Sequence, residues 1–157
     1  MNIFVLDRCP ITAAQLQCDK HVIKMILESA QIMSTIAHKN GVTAKYKPTH
    51  SNHPCTIWAG KHKGNYESLC LHALALCEEY TYRYGKVHKS QEVIDSLLSL
   101  SDKLPQGSSE FVQCMPDDCK SSDVVAAYRK YYCTKDFAVW SKRNKPSWYL
   151  SVTVGGK

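Results

Sequence analysis

Asp19-Lys20-His21-Val22-Ile23-Lys24-Met25-Ile26-Leu27-Glu28, continued by Ser29-Ala30-Gln31-Ile32-Met33, is the stretch on which the reading of this chain turns. Val22, Ile23, Met25, Ile26, Leu27, Ala30, Ile32 and Met33 leave most of a helical cylinder apolar, as befits a helix set into a core. At about 100° per residue, His21, Lys24 and Glu28 fall nearly in line on the remaining stripe. An imidazole, an ammonium and a carboxylate thus share one edge of a buried helix. The carboxylate is either paired with Lys24 or kept for chemistry. A satisfied polar network is the commoner explanation of such a stripe. Its composition still suits a definite chemistry, in which a carboxylate beside a cation holds a developing positive centre while the imidazole binds phosphate or relays a proton.

Working outward, the helical pattern around this stretch spans roughly residues 11–37, with Pro10 at its mouth and Asn40-Gly41 as the stop. A second long helix is predicted over 60–84 on Tyr66, Leu69, Cys70, Ala73, Leu76, Cys77, Tyr80 and Tyr84, closed by Gly85. A third spans 90–100, and a fourth runs from Ser122, as N-cap, to Tyr132. A short helical piece is expected to carry Phe137, Val139 and Trp140. Residues 41–58 are turn-rich, residues 1–6 read as a short buried strand within an arm over 1–9, and 150–157 as a frayed tail. The expected architecture is mainly α: a compact single-domain helical bundle over 1–157 with a short N-terminal strand.

With 157 residues and 44% apolar side chains, the chain is long enough to bury a proper core. It has no apolar run of membrane-spanning length, so no membrane partner is expected. The N-terminus lacks the basic region of a signal peptide, and eight cysteines without an export signal read as reduced thiols in a cytoplasm. The formal charge of +6 is unevenly spread. No acid occurs between Glu28 and Glu67, a stretch holding Lys39, Lys45, Lys47, Lys61 and Lys63 with His38, His50, His53 and His62. Such a split favours a face for a polyanion, the alternative being a solvated lysine-rich loop.

Cys114-x4-Cys119, Cys18-x2-His21 and His53-x-Cys55 have spacings a metal could use, but none forms a finger or ribbon pattern, and Cys70 and Cys77 fit a core face. Neither a metal nor a cofactor is expected. The His-x-Glu and Pro-Cys-x-x-Cys pattern of zinc deaminases is absent, as are a Gly-rich phosphate loop and a serine nucleophile motif. Lys142-Arg143-Asn144-Lys145-Pro146-Ser147-Trp148-Tyr149 sets aromatics behind a basic run with no helical period to explain them, a combination that can neutralise phosphates and stack on bases. For Tyr128 and Tyr131 the core reading is preferred, since both fall on a helical stripe.

These landmarks together resemble the phage pyrimidine-dimer DNA glycosylases, the endonuclease V family of ultraviolet repair. Asp19-x-His21 followed by Glu28 is similar to the family's catalytic helix; Pro54-x7-His62, then Tyr66 and the helix through Glu79 and Arg83-Tyr84-Gly85, to its central helix; and Lys145-Pro146-Ser147-Trp148-Tyr149 to its basic-Pro-Thr-Trp-Tyr tail. The resemblance covers about 130 residues. It implies a mainly helical fold, a damaged-duplex DNA partner and an enzyme of phage origin working in the cytoplasm of a bacterial host. It also implies a two-step reaction in which an N-terminal α-amine displaces the base at C1′, forms a Schiff base and cuts the strand as an AP lyase. By that analogy Glu28 holds the cationic sugar and His21 touches the DNA beside the lesion. Trp148 and Tyr149 grip a kinked duplex whose base is flipped out. The family's nucleophile is a threonine exposed by removal of the initiator methionine; here Asn2 disfavours that removal, leaving the amine of Met1 as the counterpart. The segment before His21 is five residues longer than the family's, and Leu27 and Gln31 stand where it has arginines near the glutamate. Lys24 offers a second amine or a phosphate ligand.

Two other readings use the same residues. In one, the same basic pocket binds a nucleotide or nucleic acid without cutting it, for example to sequester a signalling nucleotide, a reading that His50, His53 and His62 fit; under either reading the candidate nucleic-acid or nucleotide-binding residues are His50, Asn52, His53, Lys61, His62, Arg143, Lys145, Trp148 and Tyr149. In the other, paired histidines cleave a phosphodiester without metal. The discriminating quantity is the distance from the N-terminal nitrogen to Glu28. A strand at the N-terminus would hold that nitrogen in a sheet, away from the carboxylate.

Overall fold

In the computed structural model, which describes residues 1–150, the chain is mainly helical. Six α-helices follow in order: α1 (Pro10–Leu16), α2 (Asp19–Lys39), α3 (Pro54–Lys61), α4 (Lys63–Tyr84), α5 (Gln91–Ser96) and α6 (Val124–Tyr132). Two short 3₁₀ pieces lie at Leu98–Lys103 and Asp117–Cys119. α4 is the central element, packed against α1, α2, α3 and α5. The core between them is built from Ile26, Ile32, Met33 and Ile36 of α2, Tyr66, Leu69 and Leu76 of α4, and Tyr128 and Tyr132 of α6. The expected frayed tail lies, apart from Leu150, outside the described residues. No helix among the described residues is long and apolar enough to cross a membrane.

Helix ends marked by glycine fall where the sequence puts them. α2 stops at Asn40, followed by Gly41 with φ 72°, and α4 stops at Gly85 with φ 69°, whose N–H returns to the Thr81 carbonyl. Breaks within the long segments follow tertiary partners instead. Between α1 and α2, Gln17 is extended, and the carbonyls that the end of α1 leaves open accept from Arg83 (at Gln15) and from the Trp140 indole (at Leu16). Between α3 and α4, His62 is extended, and the first N–H groups of α4 donate to the carbonyls of Pro105 and Gly107. Gly64 makes that approach feasible, because a Cβ there would lie 2.8 Å from the Gly107 carbonyl oxygen. The cap of α6 is Asp123 rather than Ser122; its carboxylate accepts from the N–H groups of Val125 and Ala126. Phe137, Val139 and Trp140 lie in irregular chain, where the Val139 carbonyl accepts from the Asp19 N–H at the start of α2.

The expected N-terminal strand does not form; the described residues contain no strand. Phe4 takes φ 58°, a left-handed turn that no strand can contain. The Asn2 side chain accepts from the N–H groups of Ile3 and Phe4, which a sheet partner would otherwise take. The arm's carbonyls go to side chains as well, Ile3 to Gln17 and Leu6 to Arg129. Apolar Ile3, Phe4, Val5 and Leu6 are buried as predicted, but as a kinked arm laid between helices. The strain at Phe4, of order 1–3 kcal/mol, is held by packing against the rings of His21, Tyr128 and Tyr132.

Candidate active site

The kink turns the start of the chain toward α2. The α-amino nitrogen of Met1 lies 3.3 Å from Glu28 Oε1, and Lys24 Nζ lies 3.8 Å from Glu28 Oε2. Both ends of the carboxylate therefore face a nitrogen, one on a buried amine and one on an exposed ammonium. Oε1 is buried and takes no well-formed hydrogen bond from any described residue. A carboxylate oxygen kept in that state is ready to accept a proton or to face a cationic atom.

The two groups stand at one side of a cleft of about 300 Å³ lined by Met1, Asn2, Phe4, Lys20, His21, Lys24, Met25, Glu28, Tyr131, Lys135 and Phe137. His21 is buried, its ring stacked on Phe4 at 4.3 Å and meeting Phe137 edge-on at 5.6 Å. Burial, reinforced by the charges of Lys135, Lys24 and Lys20, pushes its pKa down to about 3, so the ring is neutral near pH 7. The Tyr132 hydroxyl is 2.8 Å from both the Cys18 backbone nitrogen and His21 Nδ1. Accepting from the Cys18 N–H, it keeps its own proton for Nδ1, which places the imidazole proton on Nε2. His21 thus serves as a fixed, uncharged donor at the cleft.

The rim carries the positive charge. Lys20 projects over the Phe137 ring at 4.6 Å and Lys135 over the Tyr131 ring at 4.1 Å. A basic rim above a buried amine–carboxylate pair suits a phosphodiester backbone that brings one sugar down to the amine.

Of the residues singled out from sequence, Met1, His21, Lys24 and Glu28 come together in this cleft. His53 caps α3 close by, and its pKa is lowered first by burial and then by the Met1 ammonium and His50, against a raising effect of Glu28. His50 is exposed with φ 50°, its ring edge-on to His53 at 6.4 Å, and Asn52 is exposed in the same turn. Lys61 and His62 lie at the far end of α3; Lys61 borders a hollow with Ile57 and Gly60, while the His62 ring packs against Gly107. The tail residues separate. Arg143 forms a two-toothed pair with Glu79 (2.9 and 3.0 Å) and lies over the Tyr82 ring, in another hollow. Lys145 is exposed, and Trp148 is half-buried between Tyr132 and the Arg129 guanidinium. Tyr149 is buried against Trp140 with its hydroxyl donating to the Lys135 carbonyl, so it reaches the cleft only by positioning Lys135. Sequence reasoning missed Lys20, Lys135, Phe4 and Phe137. Lys20 was within reach, since it shares a helix edge with Lys24 at i+4. Lys135 and Phe137 carried no local signal.

The family model described as pyrimidine dimer DNA glycosylase matches residues 1–93, a span that contains Met1, His21, Lys24 and Glu28. No curated protein and no solved structure gives a significant match.

Proposed function

The chain belongs to the pyrimidine dimer DNA glycosylase family, and on that premise we propose that it excises a damaged pyrimidine with the Met1 α-amine as nucleophile and then cleaves the strand as an AP lyase. Family membership itself implies pyrimidine-dimer glycosylase function and a DNA substrate. The observation that carries the finer reading is the 3.3 Å separation of the Met1 nitrogen from Glu28 Oε1 beneath a lysine rim.

An amine attacks only as the free base, and Glu28 is placed to take its proton. Attack on C1′ forms the C–N bond as the glycosidic bond breaks and its electron pair leaves with the base. Loss of the ring oxygen from C1′ gives the cationic imine, beside which the Glu28 carboxylate sits as counter-charge. Removal of a C2′ proton then expels the 3′ phosphate by β-elimination. Lys20, Lys24 and Lys135 would hold flanking phosphates, and the Nε2–H of His21 would donate to the strand beside the flipped nucleotide. Lys24 is the less well placed nucleophile, since its Nζ stands farther from the carboxylate, at 3.8 Å, on a side chain that is mostly in solvent. The two non-cutting or histidine-based readings draw no comparable geometry: of the three histidines they use, His62 lies apart from His50 and His53.

The test is borohydride trapping on duplexes carrying a thymine dimer or an abasic site, with mass spectrometry of the adduct. An adduct on the dimer duplex, mapped to the Met1 amine and absent in Glu28→Gln, is expected. An adduct on Lys24 would reassign the nucleophile, and no adduct on either duplex would remove the Schiff-base mechanism.

A further inference from the structure

None of the cysteines forms a disulfide among the described residues, and two of them meet a histidine where α3 begins. A ring nitrogen of His53 and the sulfurs of Cys55 and Cys114 all lie within 4.8 Å of one another, with the two sulfurs 3.2 Å apart. A single tetrahedral zinc ion with bonds of about 2.3 Å to sulfur and about 2.0–2.1 Å to nitrogen would hold such atoms roughly 3.5–3.8 Å apart. The three atoms therefore need to shift by only a fraction of an ångström to about an ångström to share one ion.

The backbone under the cluster is already fixed. Cys55 sits in the first turn of α3, directly after Pro54, and its N–H donates to His53 Nδ1. The Cys114 N–H donates to the Tyr128 hydroxyl, and its carbonyl accepts from the Asn2 side chain at 2.7 Å. Cys55 is buried, whereas His53 and Cys114 are half-buried, which leaves an approach from outside. None of its residues lines the amine cleft.

We propose that His53, Cys55 and Cys114 bind one thiophilic divalent cation of the zinc class. Two thiolates and an imidazole select such an ion over magnesium or calcium, and three protein ligands leave a fourth position for water. On binding, the two thiols lose their protons to solvent, and the imidazole ligates as the neutral ring. The ion would join α3 to the 111–115 segment, two of the pieces that hold the N-terminal arm: Asn2 through the Cys114 carbonyl, and Met1 Sδ through the Thr56 hydroxyl at 3.7 Å. Local spacing hid the set, because Cys55 and Cys114 stand 59 positions apart.

The test needs no DNA. The full chain, freed of metal by chelator and kept in a phosphine reductant, is titrated with Co²⁺ and then Zn²⁺, read by thiolate-to-cobalt absorption and by native mass spectrometry. The expected result is one equivalent per chain, with the cobalt band lost on zinc addition. Cys114→Ser and His53→Ala should lose stoichiometric binding with helical circular dichroism intact, and Cys9→Ser, at an exposed site, should keep it. Wild type that stays metal-free under these conditions, or either ligand variant binding as tightly as wild type, overturns the proposal. So does a pair that only cross-links as a disulfide when the reductant is removed.

Discussion

Asp19 and Glu28 stand on the same helix, and the fold treats their carboxylates in opposite ways. Asp19 accepts from the Ser141 N–H, the Ser141 hydroxyl and Arg83. Arg83 continues to Glu79, which also receives Arg143, so four charged side chains form one hydrogen-bonded chain across α2, α4 and the 141–143 segment. Burial alone would raise both carboxyls, but these donors hold Asp19 and Glu79 below their ordinary values. Glu28 has no such set: it faces one amine and one distant ammonium, with Oε1 unbonded among the described residues. Charge whose hydrogen-bonding capacity is used up holds the helices in register. Charge left short of partners is available to a substrate.

Substitution separates the two roles. Glu28→Gln should lower base excision by roughly 10²–10⁴-fold, the usual worth of a positioned acid–base group, while the thermal midpoint barely moves. Single-turnover rates on a dimer duplex and a melting curve read both quantities. Arg83→Met should do the reverse. It takes one donor each from Glu79 and Asp19, which keep Arg143 and Ser141, and uncaps the Gln15 carbonyl, for a loss of about 3 kcal/mol, the low end for a broken buried pair, in denaturant unfolding, with activity per folded molecule retained. A Glu28→Gln protein that is as unstable as Arg83→Met would place both carboxylates in the same structural class.

The same contrast governs how much could be read in advance. The His21–Lys24–Glu28 stripe was legible because helical periodicity fixes it locally, and so were the stops at Gly41 and Gly85. The break after Leu16 was not, since nothing near Gln17 forbids a helix; Arg83 and Trp140 impose it from far along the chain. Ile3-Phe4-Val5-Leu6 has the composition of a strand, and only the Asn2 side chain and the ring packing of Phe4 turn it into a kink. The far wall of the cleft, Lys135 and Phe137, lies more than a hundred positions from the start of α2 in a segment with no periodicity. The aromatic-basic tail had no periodicity to say where its side chains go, and tertiary partners decide it: Arg143 pairs with Glu79 and Tyr149 packs into the core.

Buried neutral histidines sharpen the comparison through pH. His21 is held at about 3 and His72, beside Gln17, at about 4, burial being the main cause for both. An unfolded histidine titrates at about 6.5, so between that pH and about 4 the unfolded chain binds protons that the folded one refuses. Stability is then fully present above pH 6.5 and is lost on acidification, at up to about 1.4 kcal/mol per pH unit for each histidine. Denaturant midpoints between pH 7 and 4 should show the slope, and His72→Gln should shallow it. Asp19 and Glu79 add their loss only at lower pH, as protonation reaches carboxyls held below their ordinary values. A flat profile from pH 7 to 5 would mean that both rings take up protons in the fold as they do in the unfolded chain, and the reading of His21 as an uncharged donor would go with it.

The smallest effect is expected where the geometry is as good and the burial is missing. Arg8 grips Glu110 with two hydrogen bonds, at 3.1 and 2.7 Å, much as Arg143 grips Glu79 at 2.9 and 3.0 Å. The Arg8 and Glu110 side chains are 56% and 57% exposed, whereas Glu79 is 4% exposed and already tied to Arg83. Water and salt screen the outer pair, and ordering two long side chains offsets what attraction remains. A double-mutant cycle on Arg8→Ala and Glu110→Ala should therefore show no measurable coupling in the denaturant midpoint, and Arg143→Ala with Glu79→Gln should show a clear one. Equal couplings would mean that fork geometry alone sets the worth of these pairs. The inner network would then owe nothing to burial, and the unbonded state of Glu28 would lose its meaning as a sign of function.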